Sequence, residues 1–311
     1  GTGVCAGAQS IDPLIAARFL QGVGGSGSVV LARAIVRDLY SGVRAARELS
    51  LMGSISAFAP IVAPMIGGLL QTAFGWRASF IAMGAAAIAA ILMASRLLPE
   101  TLRRHGGEPF SLLFLVKGYG LVLRHRGFLA YLVLLTVTYA GLFAWISGAA
   151  VVLEGVYGMS AVTFGFTFAL GAGGYMVGAG SATRLVFRLG LDWTMGLGVA
   201  LVAAGGLALA AVVAARIPNG IWLVAAMAIY LAGLGLSMPQ AMAGALTPFP
   251  DRAGTAASLM GLVQQTVAAA VAAVLGNYLG RSAWPVAGVV VITGSLALLT
   301  RALTRRLRAD R

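Results

Sequence analysis

The sequence predicts an all-α integral membrane protein, and three observations carry that prediction. The 311 residues are 59% apolar and only 10% charged, with a mean hydropathy of +0.93. Soluble domains run near 45–50% apolar and about 25% charged, which excludes an ordinary globular enzyme. The 43 glycines suit helices packed closely in a bilayer. Apolar runs of about 20 residues cross a hydrocarbon core roughly 30 Å thick. Nine such runs occur, at 13–32, 51–73, 78–98, 128–152, 161–183, 194–215, 219–246, 255–280 and 283–300. Their length favours helices, which satisfy their own backbone hydrogen bonds in lipid. The ten-residue alternating segments of a barrel do not occur in the sequence.

The net charge of +13 taken alone suits a nucleic-acid binder, but its placement does not. Arg33, Arg37, Arg44, Arg47, Arg96, Arg103, Arg104, Lys117, Arg124, Arg126, Arg184, Arg188, Arg252, Arg301, Arg305, Arg306, Arg308 and Arg311 fall on alternate connections. They put 18 basic residues on one face, against Arg77, Arg216 and Arg281 on the other; Arg18 lies inside the first run. The excess marks the first face as cytoplasmic and sets the C-terminus inside. The partners expected are a lipid bilayer and small molecules, with no nucleic acid. A lone cysteine, Cys5, excludes an internal disulfide framework and a cysteine-rich metal site.

The chain opens on Gly1, and residues 1–9 read as the tail of a helix cut part-way. An offset of 208 aligns Arg44-Ala-Ala-Arg-Glu-Leu-Ser-Leu-Met-Gly53 with Arg252-Ala-Gly-Thr-Ala-Ala-Ser-Leu-Met-Gly261, six of ten positions matching. The same offset pairs Gly25 with Gly233, Gly27 with Gly235, Gly68 with Gly276, and Trp76 with Trp284. The second and eighth runs are thus equivalent and six apart, a parallel repeat of six helices. On this reading residues 1–98 are the remainder of an N-terminal six-helix bundle lacking about its first three helices. Residues 99–127 form a cytoplasmic central loop, and 128–311 a C-terminal six-helix bundle with a short basic tail. Within the loop, 110–124 reads either as an amphipathic helix on the membrane surface or as a plain tether.

Arg18-Phe-Leu-Gln-Gly-Val-Gly24 resembles the fourth-helix motif of the major facilitator superfamily. Ala63-Pro-Met-Ile-Gly-Gly68 is similar to the fifth-helix signature of its drug:proton antiporters, with Ala63 in place of the usual first glycine. Leu98-Pro-Glu-Thr-Leu102, Ala32-Arg-Ala-Ile-Val-Arg-Asp38 and Phe74-Gly-Trp-Arg-Ala-Ser-Phe80 bring the likeness nearest to the bicyclomycin-resistance-type (Bcr/CflA) exporters. The counterpart of the superfamily's loop signature, near Gly180 to Asp192 with Arg184 and Arg188, is degenerate.

The resemblance implies the major facilitator fold of two six-helix bundles, and a monomer in a bacterial inner membrane. The implied activity is alternating-access export of drugs or other small organic compounds in exchange for protons, without a cofactor. It assigns proton coupling to Arg18, Gln21 and Gly22, and an antiporter bend to Pro60, Ala63, Pro64, Gly67 and Gly68.

The residues themselves admit a second reading of each. A central arginine costs about 2.5–3.5 kcal/mol on insertion scales, so Arg18 faces a polar cavity or partner, or else snorkels to the headgroups. Pro60 and Pro64 remove two amide donors one turn apart and predict a bend, with Gly67 and Gly68 allowing another helix close. No Asp or Glu falls inside the nine runs, so the proton-titrating carboxylate is expected outside them.

A pocket for amphipathic compounds needs apolar walls and a few polar groups. Thr136, Tyr139, Phe143 and Ser147 share one helical face, with Trp145 nearby; Tyr230, Ser237 and Gln240 follow similarly, then Gln264 and Gln265. Ordinary interhelical contacts would present the same pattern. The two histidines, His105 and His125, lie in the central loop, which leaves no constellation for catalysis or metal binding. Export of a native metabolite or amino acid, or a non-transporting scaffold or sensor, are the alternative functions.

Overall fold

The computed structural model describes residues 1–40, 42–98, 112–280 and 282–305. Their helices are α1 (Thr2–Gly7), α2 (Ile11–Leu39), α3 (Gly42–Phe74), α4 (Arg77–Leu97), α5 (Leu112–Leu123), α6 (Arg126–Ala150), α7 (Ala161–Ala214), α8 (Ile221–Leu246), α9 (Ala253–Gly276) and α10 (Trp284–Leu303). A π turn, Val151–Val156, prolongs α6, and a 3₁₀ turn, Pro250–Arg252, precedes α9. Among the described residues there is no strand. Every expected run falls on one of these helices, two of them on α7. The duplicated ten-residue block opens α3 in one copy and α9 in the other, and Trp76 and Trp284 stand at the starts of α4 and α10.

Six of the described helices are long and apolar enough to cross a membrane: α4, α6 with its π turn, α7, α8, α9 and α10. Phe58–Phe74 of α3 is a shorter apolar stretch. At 1.5 Å per residue α7 would reach about 80 Å if straight, more than twice a hydrocarbon core. Gly190, at φ 78° and ψ 171°, breaks it into two limbs. A side chain rarely adopts that φ, so glycine is needed there.

The chain divides into two compact units, Gly1–Pro109 and Phe110–Arg311. In the first, α1 packs on α2 and α4, and α3 meets α4. Burial is sparse, with Cys5, Ala8 and Ala17 covered and no residue of α4 buried.

In the second unit α8 lies between the two limbs of α7, and the contacts are backbone on backbone. A Cβ on Gly174 would strike the Ala228 carbonyl, and one on Gly178 the Ala232 carbonyl, a small-residue pair four apart on each helix. Opposite, a Cβ on Gly198 would come within 2.7 Å of the Gly233 carbonyl oxygen. Small residues let helices approach this closely where lipid gives no hydrophobic drive for association.

Larger side chains fill two buried clusters along the bundle. One holds Trp145, Leu153, Leu209, Met227, Tyr230 and Val290; the other holds Val122, Phe128, Tyr131, Leu134, Met195 and Met260. The residues 112–123 do form a helix. It is tied to the bundle rather than free, through buried Val122, Gly118 against Thr255, and a 3.2 Å hydrogen bond between the Tyr119 and Ser258 hydroxyls. At the break in α7, Asp192 pairs with Arg301 of α10 at 3.1 Å. Gly196 leaves room for that guanidinium, which a Cβ would strike.

Candidate coupling and substrate sites

In the first unit, the Arg18 guanidinium donates to Gln21 Oε1 at 2.5 Å. The Gln21 amide in turn donates to the Thr2 hydroxyl at 2.8 Å, linking α2 to α1. The cation also lies 5.8 Å from the centre of the Phe80 ring on α4, within cation–π range. Arg18 and Gln21 are therefore brought together, as their three-residue spacing on one helix dictates. Gly22 is exposed and has open space around it. Arg18 is itself exposed, and among the described residues no carboxylate pairs with it.

α3 runs helically through both Pro60 and Pro64. Pro60 and Ala63 are exposed, Pro64 and Gly67 half-buried, and Gly68 buried. The Gly68 carbonyl accepts a hydrogen bond from the Thr72 hydroxyl at 2.9 Å. Among the described residues nothing lies within 4 Å of where a Cβ would stand on Gly67, so no helix approaches closely there. No described hydrogen bond or ring contact joins this motif to Arg18.

In the second unit, Tyr139, Phe143 and Ser147 are half-buried while most other residues of α6 are covered. The Tyr139 and Phe143 rings stack obliquely at 5.7 Å and 36°. Thr136, on the same face, is 7% exposed, and its buried hydroxyl has no hydrogen-bond partner among the described residues. Such a hydroxyl costs about 1–3 kcal/mol unless something binds it. On α9, Gln264 is half-buried and Gln265 exposed.

Two expected cavity residues are enclosed by neighbouring side chains. Trp145 is 2% exposed and stacked on Phe168 at 6.3 Å with planes 5° apart. At about 100° per residue it points roughly 120° away from the Tyr139–Phe143 line, into the core. Tyr230 is fully buried; its hydroxyl donates to the Thr138 carbonyl at 2.9 Å and lies 3.5 Å from the Thr293 hydroxyl. Both lie in the buried cluster around Met227 and Val290. Gln240, 8% exposed, likewise offers almost no surface.

Two carboxylates outside the apolar runs, Glu154 and Asp192, lie on helical segments. The π turn extends the apolar segment to Arg126–Val156, which brings Glu154 inside a candidate span. Glu154 is half-exposed, and it continues the line of Tyr139, Phe143, Ser147 and Ala150 at spacings of three and four. The apolar window ended two residues short of it, and hydropathy carries no signal for a π turn. Asp192 also lies within α7, at the Gly190 break rather than in a loop. Among the described residues no group of three metal-ligating side chains occurs.

The family model for the Major Facilitator Superfamily matches residues 1–273, and the chain belongs to that superfamily. It is a family of transporters, not of enzymes. The bicyclomycin resistance protein homolog of Haemophilus influenzae is 29% identical over 84% of this chain and 65% of its own length. Multidrug resistance protein D of Escherichia coli is 31% identical over 82% of this chain and 64% of its own. An uncharacterized MFS-type transporter of Bacillus subtilis, YdgK, is 32% identical over 94% of this chain and 74% of its own. The chain thus spans about two thirds of the length of the first two relatives, 65% and 64%. A bacterial homologue of the iron transporter ferroportin, solved in an inward-facing state, superposes with a TM-score of 0.59 at 17% identity. That likeness covers 89% of this chain and 66% of the other, and it concerns the fold alone. These relatives agree with the family that the sequence resembles.

Proposed function

We propose that the protein is a proton-coupled exporter of drugs or other small organic compounds, working by alternating access between two six-helix halves. It acts as a monomer in a bacterial inner membrane, with the C-terminus cytoplasmic, and is powered by the proton gradient without a cofactor. Arg18 carries this reading. A cation within the apolar run of 13–32, bonded to a neutral amide and lacking a described carboxylate partner, is held ready for a group whose charge changes. Gln21 fixes its direction, and Gly22 leaves the helix surface open beside it. The motif of α3 supplies the bend that keeps the idle exchanger closed to protons. The names of two relatives, a bicyclomycin resistance protein homolog and a multidrug resistance protein, support drugs as the cargo.

The substrate face on this reading is the Tyr139–Phe143 line of α6, with Thr136 as its hydrogen-bonding group and Gln264 and Gln265 opposite. Thr136→Val removes a hydroxyl that has no partner to lose. Thermal stability should hold or rise slightly, while the KM for an exported compound that hydrogen-bonds there should rise several-fold, about 1 kcal/mol of lost interaction. Melting curves and transport kinetics on the full-length protein check both halves. A clear drop in stability with unchanged KM would assign the hydroxyl to packing instead.

A further inference from the structure

We propose that a pocket at one end of the second unit, around Arg216, holds the phosphate of an anionic phospholipid such as phosphatidylglycerol. Three elements form this pocket, of about 410 Å³: the end of the π turn with Tyr157, the end of α7 with Arg216 and Pro218, and the approach to α10 with Ser282 and Trp284. It is separate from the proposed transport path and does not depend on that reading.

Arg216 occupies a position that glycine usually fills. α7 ends at Ala214, and two residues later the backbone turns left-handed, with φ 51° at Arg216. An L side chain rarely takes that conformation, and helices commonly use glycine there. The arginine side chain is thus retained against a backbone preference. Its guanidinium is exposed, and among the described residues it has no ion pair and no hydrogen-bond acceptor. A fork of N–H donors with no partner matches a phosphate better than a single-point cation would.

The surroundings say which phosphate. Exposed Trp222, Tyr278 and Trp284 stand at the start of α8, just past α9 and at the start of α10, all at the end of the bundle where the pocket lies. Aromatic rings with a polar edge collect at the membrane–water interface, where the abundant phosphate is a lipid headgroup. Partial burial raises the Tyr157 phenol above its ordinary value, so it remains a neutral donor beside the site. No carboxylate lines the pocket among the described residues. An arginine with no described carboxylate beside it gives the site a net positive charge, so a net-negative lipid is preferred.

The test is native mass spectrometry of the purified full-length protein, titrated in micelles with phosphatidylglycerol or phosphatidylcholine. The wild type should retain a phosphatidylglycerol adduct that phosphatidylcholine does not reproduce at equal concentration. Arg216→Asn keeps a residue that tolerates the left-handed backbone; it should weaken that adduct about tenfold and leave the melting temperature unchanged. Excess inorganic phosphate should leave the lipid bound. Arg216→Gly, still easier on the backbone, replaces the asparagine variant if that one fails to fold. Undiminished phosphatidylglycerol binding in either variant overturns the proposal. Equal retention of phosphatidylcholine overturns it too, and displacement by inorganic phosphate would make this a small-anion site.

Discussion

Gly178→Leu should cost the second unit more than about 3 kcal/mol and abolish the folded, monodisperse protein in detergent. The cause is local. A Cβ at 178 would sit on the Ala232 carbonyl, which is main chain and cannot swing aside. A leucine there must push α7 and α8 apart along their whole contact. That contact also includes Gly174 against Ala228 and Gly235 against the Tyr175 carbonyl, so separation at one level is felt at three. Gly173→Leu is the control, because nothing lies within 4 Å of its Cβ position. The control should express and elute as the wild type does. Equal tolerance of both substitutions, read by size-exclusion profile and thermal melt, would show that the helices are not held by backbone proximity.

Arg18→Ala should lower gradient-driven export by the full-length protein roughly 5- to 150-fold, the span of a coupling free energy of about 1–3 kcal/mol. Folding should survive. The side chain is exposed, and its described contacts are one hydrogen bond to Gln21 and the approach to Phe80. Arg18→Lys keeps the charge but loses the planar fork that Gln21 orients, and an intermediate loss is expected. If alanine and lysine both pump at the wild-type rate, Arg18 is a snorkelling residue. Loss of expression in both would point to a structural role, which the exposure of the site speaks against.

The helices are legible because hydropathy over 20 residues is a strong signal, and the duplicated block because Arg44–Gly53 survives beside Arg252–Gly261. Boundaries and register are not. The first apolar run ends at residue 32, yet α2 continues to Leu39, since Arg33 and Arg37 lower hydropathy without lowering helix propensity. The runs at 161–183 and 194–215, by contrast, fall on the two helical limbs that Gly190 separates. Tyr230 suits a cavity wall by residue type, yet it is fully buried. Its partners, Thr138 and Thr293, are 92 and 63 residues away, and pairing at that range leaves no local pattern. Glu154 lies two residues past the end of the apolar run at 152, and the π turn that extends the segment to Val156 leaves no mark in hydropathy. α3 continues as a helix through Pro60 and Pro64, and among the described residues nothing stands within 4 Å of a Cβ on Gly67.

The most direct test of the proposed function is transport by the purified full-length protein in sealed vesicles, with a drug on one side and an imposed pH gradient. The account predicts drug movement up its own gradient as protons flow the other way, with collapse when an ionophore dissipates the gradient. Drug equilibration at the same rate with and without the gradient, or no movement from a folded protein, would contradict it.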